Sequence, residues 1–424
     1  MSDSHQQPAH SPGTGEGPDP TSGSSLLLCG ARLADGRSVD VRLGGGRIEA
    51  VGTVGSLAAH GSARVDLTGF LLLPAPAEPH AHGDTALTAL SADGPVSYAV
   101  EEVQRRATEA ALLQLGHGAT ALRSHVRIDE VSGLDPLEAV LQTRRSLRGL
   151  TELAVVAVPR LLTGVAGADG LAMLRDAVKM GASVVGGCPD LDADPAGYAE
   201  AVLELAAEHG CAVDLHTDAA DPARLARLAA MSGGLRPGVV IGPCGGLSRL
   251  PRETAARAAD QLASAGVAVT CLPQGGCGMT DRQGAAPVRL LRSAGVRLAA
   301  GSGSLRDVSN PVGRGDPLEA AYLLASQAGL RPDDAYAAVS TVARETMGLP
   351  EVRVEAGFPA ELLAVRGDRI AGVLSLAYSR IVIHRGRVVA RTSAVREYCD
   401  SAAAVALDLP RQGRSESGRP GEPG

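Results

Sequence analysis

The sequence predicts an α/β chain: a (β/α)8 TIM barrel joined to a small discontinuous β-sandwich domain built from both termini. Three observations carry that expectation. Across roughly Leu71 to Met347, short apolar runs alternate with longer Ala/Leu/Arg-rich amphipathic stretches, making about eight strand–helix units, the pattern of a parallel sheet wrapped in helices. The interval suits the ~250 residues such a barrel takes, and short alternating runs around Gly turns flank it on both sides. The composition agrees: 45% of residues are hydrophobic but only 2% aromatic, with two Phe, six Tyr and no Trp, so Ala, Val and Leu must build the core.

In chain order, residues 1–25 are polar and rich in Gly, Pro, Ser and His. Lacking a basic segment followed by an apolar one, they are expected to be a disordered tail and not a signal peptide. Residues 26–70 and 350–395 make the composite β domain. In its first half, Val39–Leu43, a turn at Gly44–Gly46 and Arg47–Val51 read as a hairpin. In its second half, Ala360–Val365 and Ser379–His384 read as strands, with a hairpin about Gly386. The barrel is expected over 71–349, with strands at Leu71–Pro74, Ala119–Leu122, Leu153–Val158, Ser183–Val185, Ala212–Leu215, Val239–Ile241, Val267–Cys271 and Val296–Ala300. Helices are expected over Val100–Leu115, Gly197–His209 and Ala255–Ala265. Residues 396–424 are expected to form a second tail.

Charge and composition exclude several functions. A formal charge of −7 opposes binding to a phosphate backbone, and there are few rings on which to stack bases. No uninterrupted apolar run approaches the ~18 residues of a membrane span. A small-molecule ligand is therefore the expected partner, with no nucleic acid, no membrane and a homo-oligomer left open. The seven cysteines are scattered, odd in number and contain no CxxC pair, as in a cytoplasmic protein with reduced thiols.

In such barrels the chemistry sits at the C-terminal ends of the strands. The first apolar run leads into Glu78-Pro79-His80-Ala81-His82-Gly83-Asp84. Residues i and i+2 of a strand share a face, so His80 and His82 converge, which suits two imidazoles on one divalent metal. Alone, the pair is equally compatible with two polar residues in a loop mouth.

Further segments resemble the cytosine deaminase branch of the amidohydrolase superfamily. Gly118–Asp129 resembles its second-strand segment and Gly181–Gly187 its fourth. Asp214-Leu215-His216-Thr217-Asp218-Ala219 resembles its fifth-strand motif, His-x-Asp-Glu. Its eighth-strand motif is matched by Gly301-Ser302-Gly303-Ser304-Leu305-Arg306-Asp307, then Asn310-Pro311, Gly313 and Gly315-Asp316-Pro317-Leu318-Glu319. The resemblance spans about Leu26 to Arg391. It implies a metal-dependent hydrolase of non-peptide C–N bonds in a small cyclic amidine or amide, holding zinc or iron through His80, His82 and His216.

The same resemblance implies losses. The family's proton-shuttling Glu falls on Ala219, its strand-six His on Pro243 and its strand-eight Asp on Gly303. Metal binding is thus expected to be weakened, and each lost proton-transfer group typically costs ~10²–10⁴ in rate. A common aromatic position falls on Val308 or Ser309, which argues against a flat nucleobase. Asp218 and His125 are candidate replacements for proton transfer, although Asp218 also reads as a loop brace and His125 as a hydrogen-bonded strand-end residue. Arg160, which takes the place of a substrate-contacting Gln, joins Ser304 and Asp307 as a candidate substrate contact. Arg160 also reads as a surface residue, and Asp307, with Arg306, as a loop brace. Cys188, Cys244 and Cys271 read as small buried thiols, and Gly275–Gly278 as a flexible loop at the barrel mouth. Two functions stay open: an amidohydrolase with impaired or altered activity, and a catalytically inactive pseudoenzyme that binds a small ligand or serves as a partner subunit.

Overall fold

The computed structural model describes residues 25–59, 61–89, 96–277, 285–376 and 379–394. The expected tails, apart from Ser25, lie outside these residues. The chain opens with β1 (Leu26–Arg32), β2 (Ser38–Gly44), β3 (Arg47–Thr53), β4 (Ala63–Asp66) and β5 (Phe70–Pro74). The next eight strands are β6 (Ala77–Ala81), β7 (Ala121–Ile128), β8 (Glu152–Pro159), β9 (Val184–Gly187), β10 (Ala212–Thr217), β11 (Val239–Pro243), β12 (Ala268–Cys271) and β13 (Leu298–Ala300). They are followed by β14 (Leu362–Arg366), β15 (Arg380–His384) and β16 (Arg387–Thr392). Helices α1 (Val100–Gly116), α2 (Asp135–Ser146), α3 (Gly164–Met180), α4 (Pro195–His209), α5 (Pro222–Ser232), α6 (Arg252–Ala265) and α7 (Val288–Ser293) connect the middle strands. Then come α8 (Pro317–Ser326), α9 (Pro332–Val339), α10 (Thr341–Thr346) and α11 (Ile370–Leu376).

Strands β6 to β13 neighbour one another in chain order, each parallel to the next. The first and last meet where the Gly303 N–H donates to the His80 carbonyl at 3.1 Å and Ala81 bridges Gly303 in parallel. This is the predicted (β/α)8 barrel. Its strands alternate, as side chains in a sheet must. Leu122, Val155, Leu215, Ile241 and Val269 pack in one buried cluster with helix residues Leu137, Leu174, Val202, Leu225 and Leu262. The intervening residues turn inward, and there the polar groups accumulate. No described helix is long and apolar enough to cross a membrane.

The second sheet runs β16-β15-β14-β5-β1-β2-β3, with β4 paired to β1, so both ends of the chain build it. One strand differs from expectation. The run Leu71–Pro74, read as the first barrel strand, pairs antiparallel with β14 in this second sheet, and the barrel starts at Ala77. A short run buried on both faces fits either sheet, so periodicity could not decide between them.

A buried ion pair ties the sheet to the barrel. Arg380 on β15 donates to both Asp316 oxygens, at 2.8 and 2.7 Å, and to the His117 carbonyl at 2.6 Å. Asp316 also caps α8 by accepting the Leu318 N–H at 2.9 Å. Burial alone would raise the Asp316 carboxyl, but hydrogen bonds and charge from Arg380 outweigh it and hold it below its ordinary 3.8. A depressed folded value means that the pair stabilises the fold above 3.8 and that this contribution fades as pH falls through the folded value. Asp316→Asn should therefore cost about 1.5–3 kcal/mol at neutral pH. Urea unfolding of wild type and variant should show the gap closing below the carboxylate range, and a gap independent of pH would refute the assignment.

Candidate metal centre

The site grows from i, i+2 alternation on three strands. On β6, Glu78 and His80 turn inward, and His82 follows at the strand end. Glu78 accepts the Ser302 N–H at 2.9 Å and the His80 N–H at 3.0 Å, fastening the first strand to the segment after the last. Burial pushes the Glu78 carboxyl up to about 7 against these hydrogen bonds. From β7 come Arg123 and His125, and from β10 come Asp214 and His216.

The rings of His80, His82, His125 and His216 have centroids 4.1–5.5 Å apart. Arg123 pairs with Asp214 at 2.8 Å, and the other Asp214 oxygen lies 3.3 Å from His125 Nε2. Burial, and then the charge of neighbouring histidines, holds His80, His82 and His125 well below the ordinary 6.5. Burial likewise takes His216 to about 4, with Asp214 opposing. All four are thus neutral imidazoles at neutral pH, the form that ligates metal.

Polar atoms in an interior are nearly always paired. Here both ring nitrogens of His80, His125 and His216, His82 Nε2 and Asp214 Oδ1 are buried without a hydrogen-bond partner. Two overlapping donor groups result: His80, His82, His216 and Cys277, and His80, His125 and Asp214, each with donor atoms within 4.8 Å of one another. Buried imidazole nitrogens without hydrogen-bond partners, beside a carboxylate and a thiol, are a donor set that fits a divalent cation.

The other residues singled out from sequence divide. His125 stands inside the cluster. Asp218 belongs to neither donor group. Its carboxylate pairs with Arg249, its N–H donates to Asp190 at 2.9 Å and its carbonyl accepts the Gly246 N–H at 2.7 Å, which is the bracing geometry. Arg160 is exposed and acts electrostatically on Asp129. Ser304 is fully buried. Asp307 accepts from Thr85 Oγ1 at 3.0 Å and from the Ser309 and Asn310 N–H groups at 2.8 and 3.0 Å, bracing the last loop while lining a cavity with Arg127 and Tyr98.

Ala219 belongs to the barrel's outer core cluster and lines a cavity with Ala199, Leu225 and Leu228. Pro243 stands opposite Thr217 in the register and lines another cavity with Leu272 and Pro287. Gly303 lies at the barrel seam with φ +69°.

Sequence reasoning assigned no role to Asp214, Arg123 or Cys277. Alternation was the available signal for the first two, which stand two residues before His216 and His125. The sequence places Cys277 in a loop at the barrel mouth but carries no signal that its thiol meets the histidines.

The Amidohydrolase family matches residues 84–390. A pterin deaminase from Rhizobium rhizogenes is 27% identical over 326 residues, covering 72% of this chain and 74% of that protein. An N-isopropylammelide isopropyl amidohydrolase from Pseudomonas sp. is 24% identical over 314 residues, covering 70% of this chain and 75% of the relative. Among solved structures, N-isopropylammelide isopropylaminohydrolase from Burkholderia multivorans superposes with a TM-score of 0.77 at 26% identity, over 88% of this chain and all (100%) of that one. The 5-methylcytosine deaminase of Klebsiella pneumoniae, liganded with 5-fluorocytosine, shares the fold with a TM-score of 0.76 at 22% identity, over 89% of this chain and 100% of its own. The match across most of the chain, on a barrel whose strand ends converge four histidines, makes this protein a member of the amidohydrolase family.

Proposed function

We propose that this chain binds a divalent metal through His80, His82 and His216 and hydrolyses, with impaired activity, a C–N bond of a small cyclic amidine or amide. The cluster of buried histidines whose ring nitrogens have no hydrogen-bond partner carries the reading. Relatives described as a pterin deaminase and an N-isopropylammelide isopropyl amidohydrolase point to a nitrogen heterocycle as the substrate class. When bound, the cation supplies Lewis acidity toward water and the substrate. The chain's own residues do the rest. Arg123 fixes the Asp214 carboxylate, and Asp214 orients His125 through Nε2, which leaves Nδ1 of the neutral ring as the atom to accept a proton.

Ala219 and Gly303 can carry no proton, so turnover should fall by ~10²–10⁴ for each missing group unless His125 compensates. That observation favours one other reading, an inactive barrel that only binds its ligand. Zinc-loaded protein incubated with a pterin, N-isopropylammelide and cytosine, with released amine or ammonia measured, separates the two. Slow turnover lost in His125→Gln is expected. Full metal loading without release of amine from any of them would overturn the catalytic reading in favour of the binding one.

A further inference from the structure

We propose that Cys277 is a fourth protein ligand, closing the His80–His82–His216 site as a centre of three histidines and one thiolate that selects zinc. This rests on the metal-site reading above and deepens it. The Cys277 sulfur and one ring nitrogen from each histidine lie within 4.8 Å of one another. Cys277 is 1% exposed, beside Val156, Val158, Val184, Cys188 and Leu272. The His80 and His216 ring nitrogens and His82 Nε2 around it are buried and have no hydrogen-bond partner. Zinc–nitrogen and zinc–sulfur bonds of about 2.0–2.3 Å put tetrahedral donors roughly 3.3–3.8 Å apart, so the donors need to contract by only about an ångström.

The fold explains how a cysteine beyond the seventh strand reaches this point. A side chain at Gly303 would place its Cβ 3.2 Å from the Gly275 carbonyl oxygen and 3.3 Å from Leu272 Cδ1. With no side chain there, the segment Leu272–Cys277 lies against the barrel seam. It is pinned by Asn310 Nδ2 donating to the Gln274 carbonyl at 3.1 Å and Gln274 Nε2 donating to the Asp316 carbonyl at 2.6 Å. The position where the resemblance led us to expect an acidic ligand is thus a glycine, and the chain that fills the space brings a thiol.

The chemistry that follows differs from an open hydrolytic site. On binding, the thiol gives its proton to solvent and the thiolate donates its electron pair to the cation. Thiolate with imidazole favours zinc over harder cations. A fourth protein ligand takes the position that catalytic zinc sites keep open, so water and substrate would have to compete with Cys277 for the cation. Impaired turnover would then have a cause in the metal's own coordination shell.

Cobalt(II) titration of the full chain under reducing conditions tests the proposal. A thiolate ligand gives a sulfur-to-cobalt charge-transfer band beside the visible d–d bands. We expect that band in wild type, its loss in Cys277→Ser and Cys277→Ala, and its retention in Cys188→Ser and Cys271→Ser. Zinc affinity of the folded Cys277 variants should fall on the order of 100-fold, one quarter of the binding free energy typical of a four-ligand zinc site. Visible d–d bands without charge transfer in wild type would overturn the proposal and leave the histidine site standing. So would a band that survives both Cys277 variants or disappears only in Cys188→Ser. Failure of wild type to bind cobalt or zinc would remove the metal site itself, and this proposal with it.

Discussion

Arg123→Met is expected to destabilise the protein by about 3–5 kcal/mol, the usual cost of breaking a buried ion pair by removing one partner. Arg123 and Asp214 are each 1% exposed and meet at 2.8 Å inside the barrel. Methionine roughly replaces the aliphatic stem of arginine, so the loss falls mainly on charge. Asp214 would be left buried among histidines held neutral by burial, with His125 at 3.3 Å. Replacing both partners by apolar residues is often close to neutral, so Arg123→Met with Asp214→Leu should recover much of the deficit. Urea unfolding of the two single variants and the double variant gives the coupling directly. A single-variant loss below about 1 kcal/mol would mean that Asp214 does not depend on Arg123 for its charge.

Most of this architecture was legible in the chain, because periodicity and glycine turns report local physics faithfully. Val100–Leu115 was expected as helix and the helix is Val100–Gly116, and the hairpin about Gly44–Gly46 is β2 turning into β3. Leu71–Pro74 shows the limit. Its leucines say that the strand is buried, but only long-range pairing with β14 says in which sheet.

The site divides along the same line. His80 and His82 were readable because their spacing is local and period two is a property of any strand. His216 came with a motif resemblance. Asp214 and Arg123 obey the same alternation, yet their role depends on β7 and β10 facing each other across the barrel, a relation that no window of sequence contains. Cys277 is the extreme case. The loop that carries it packs against Gly303, where a Cβ would come within 3.2 Å of the Gly275 carbonyl oxygen, so two distant stretches of sequence must be read together. Asp218, a plausible base by type, is committed to Arg249 and to its own loop.

The largest effect on ligand binding is expected from His216→Ala. His216 contributes ring nitrogens that are fully buried, lack a hydrogen-bond partner and are shared with the His80 and His82 donors. With burial holding its pKa at about 4, its ring competes little for protons at neutral pH and is available to a cation. Removing one of four ligands should weaken zinc binding on the order of 100-fold, again as a quarter of a typical site's binding free energy. The small alanine side chain should leave the strand pairing intact. Truncating a fully buried ring leaves a cavity, so the metal-free variant should lose about 2–4 kcal/mol of stability, and zinc binding is compared on the folded variant. The most direct measurement is therefore zinc stoichiometry by equilibrium dialysis on wild type and His216→Ala. The account predicts about one zinc per wild-type chain, and a variant that fails to retain zinc at concentrations where wild type is loaded. Wild-type protein that takes up no zinc at saturating concentration, or a variant that binds it as tightly as wild type, would contradict it.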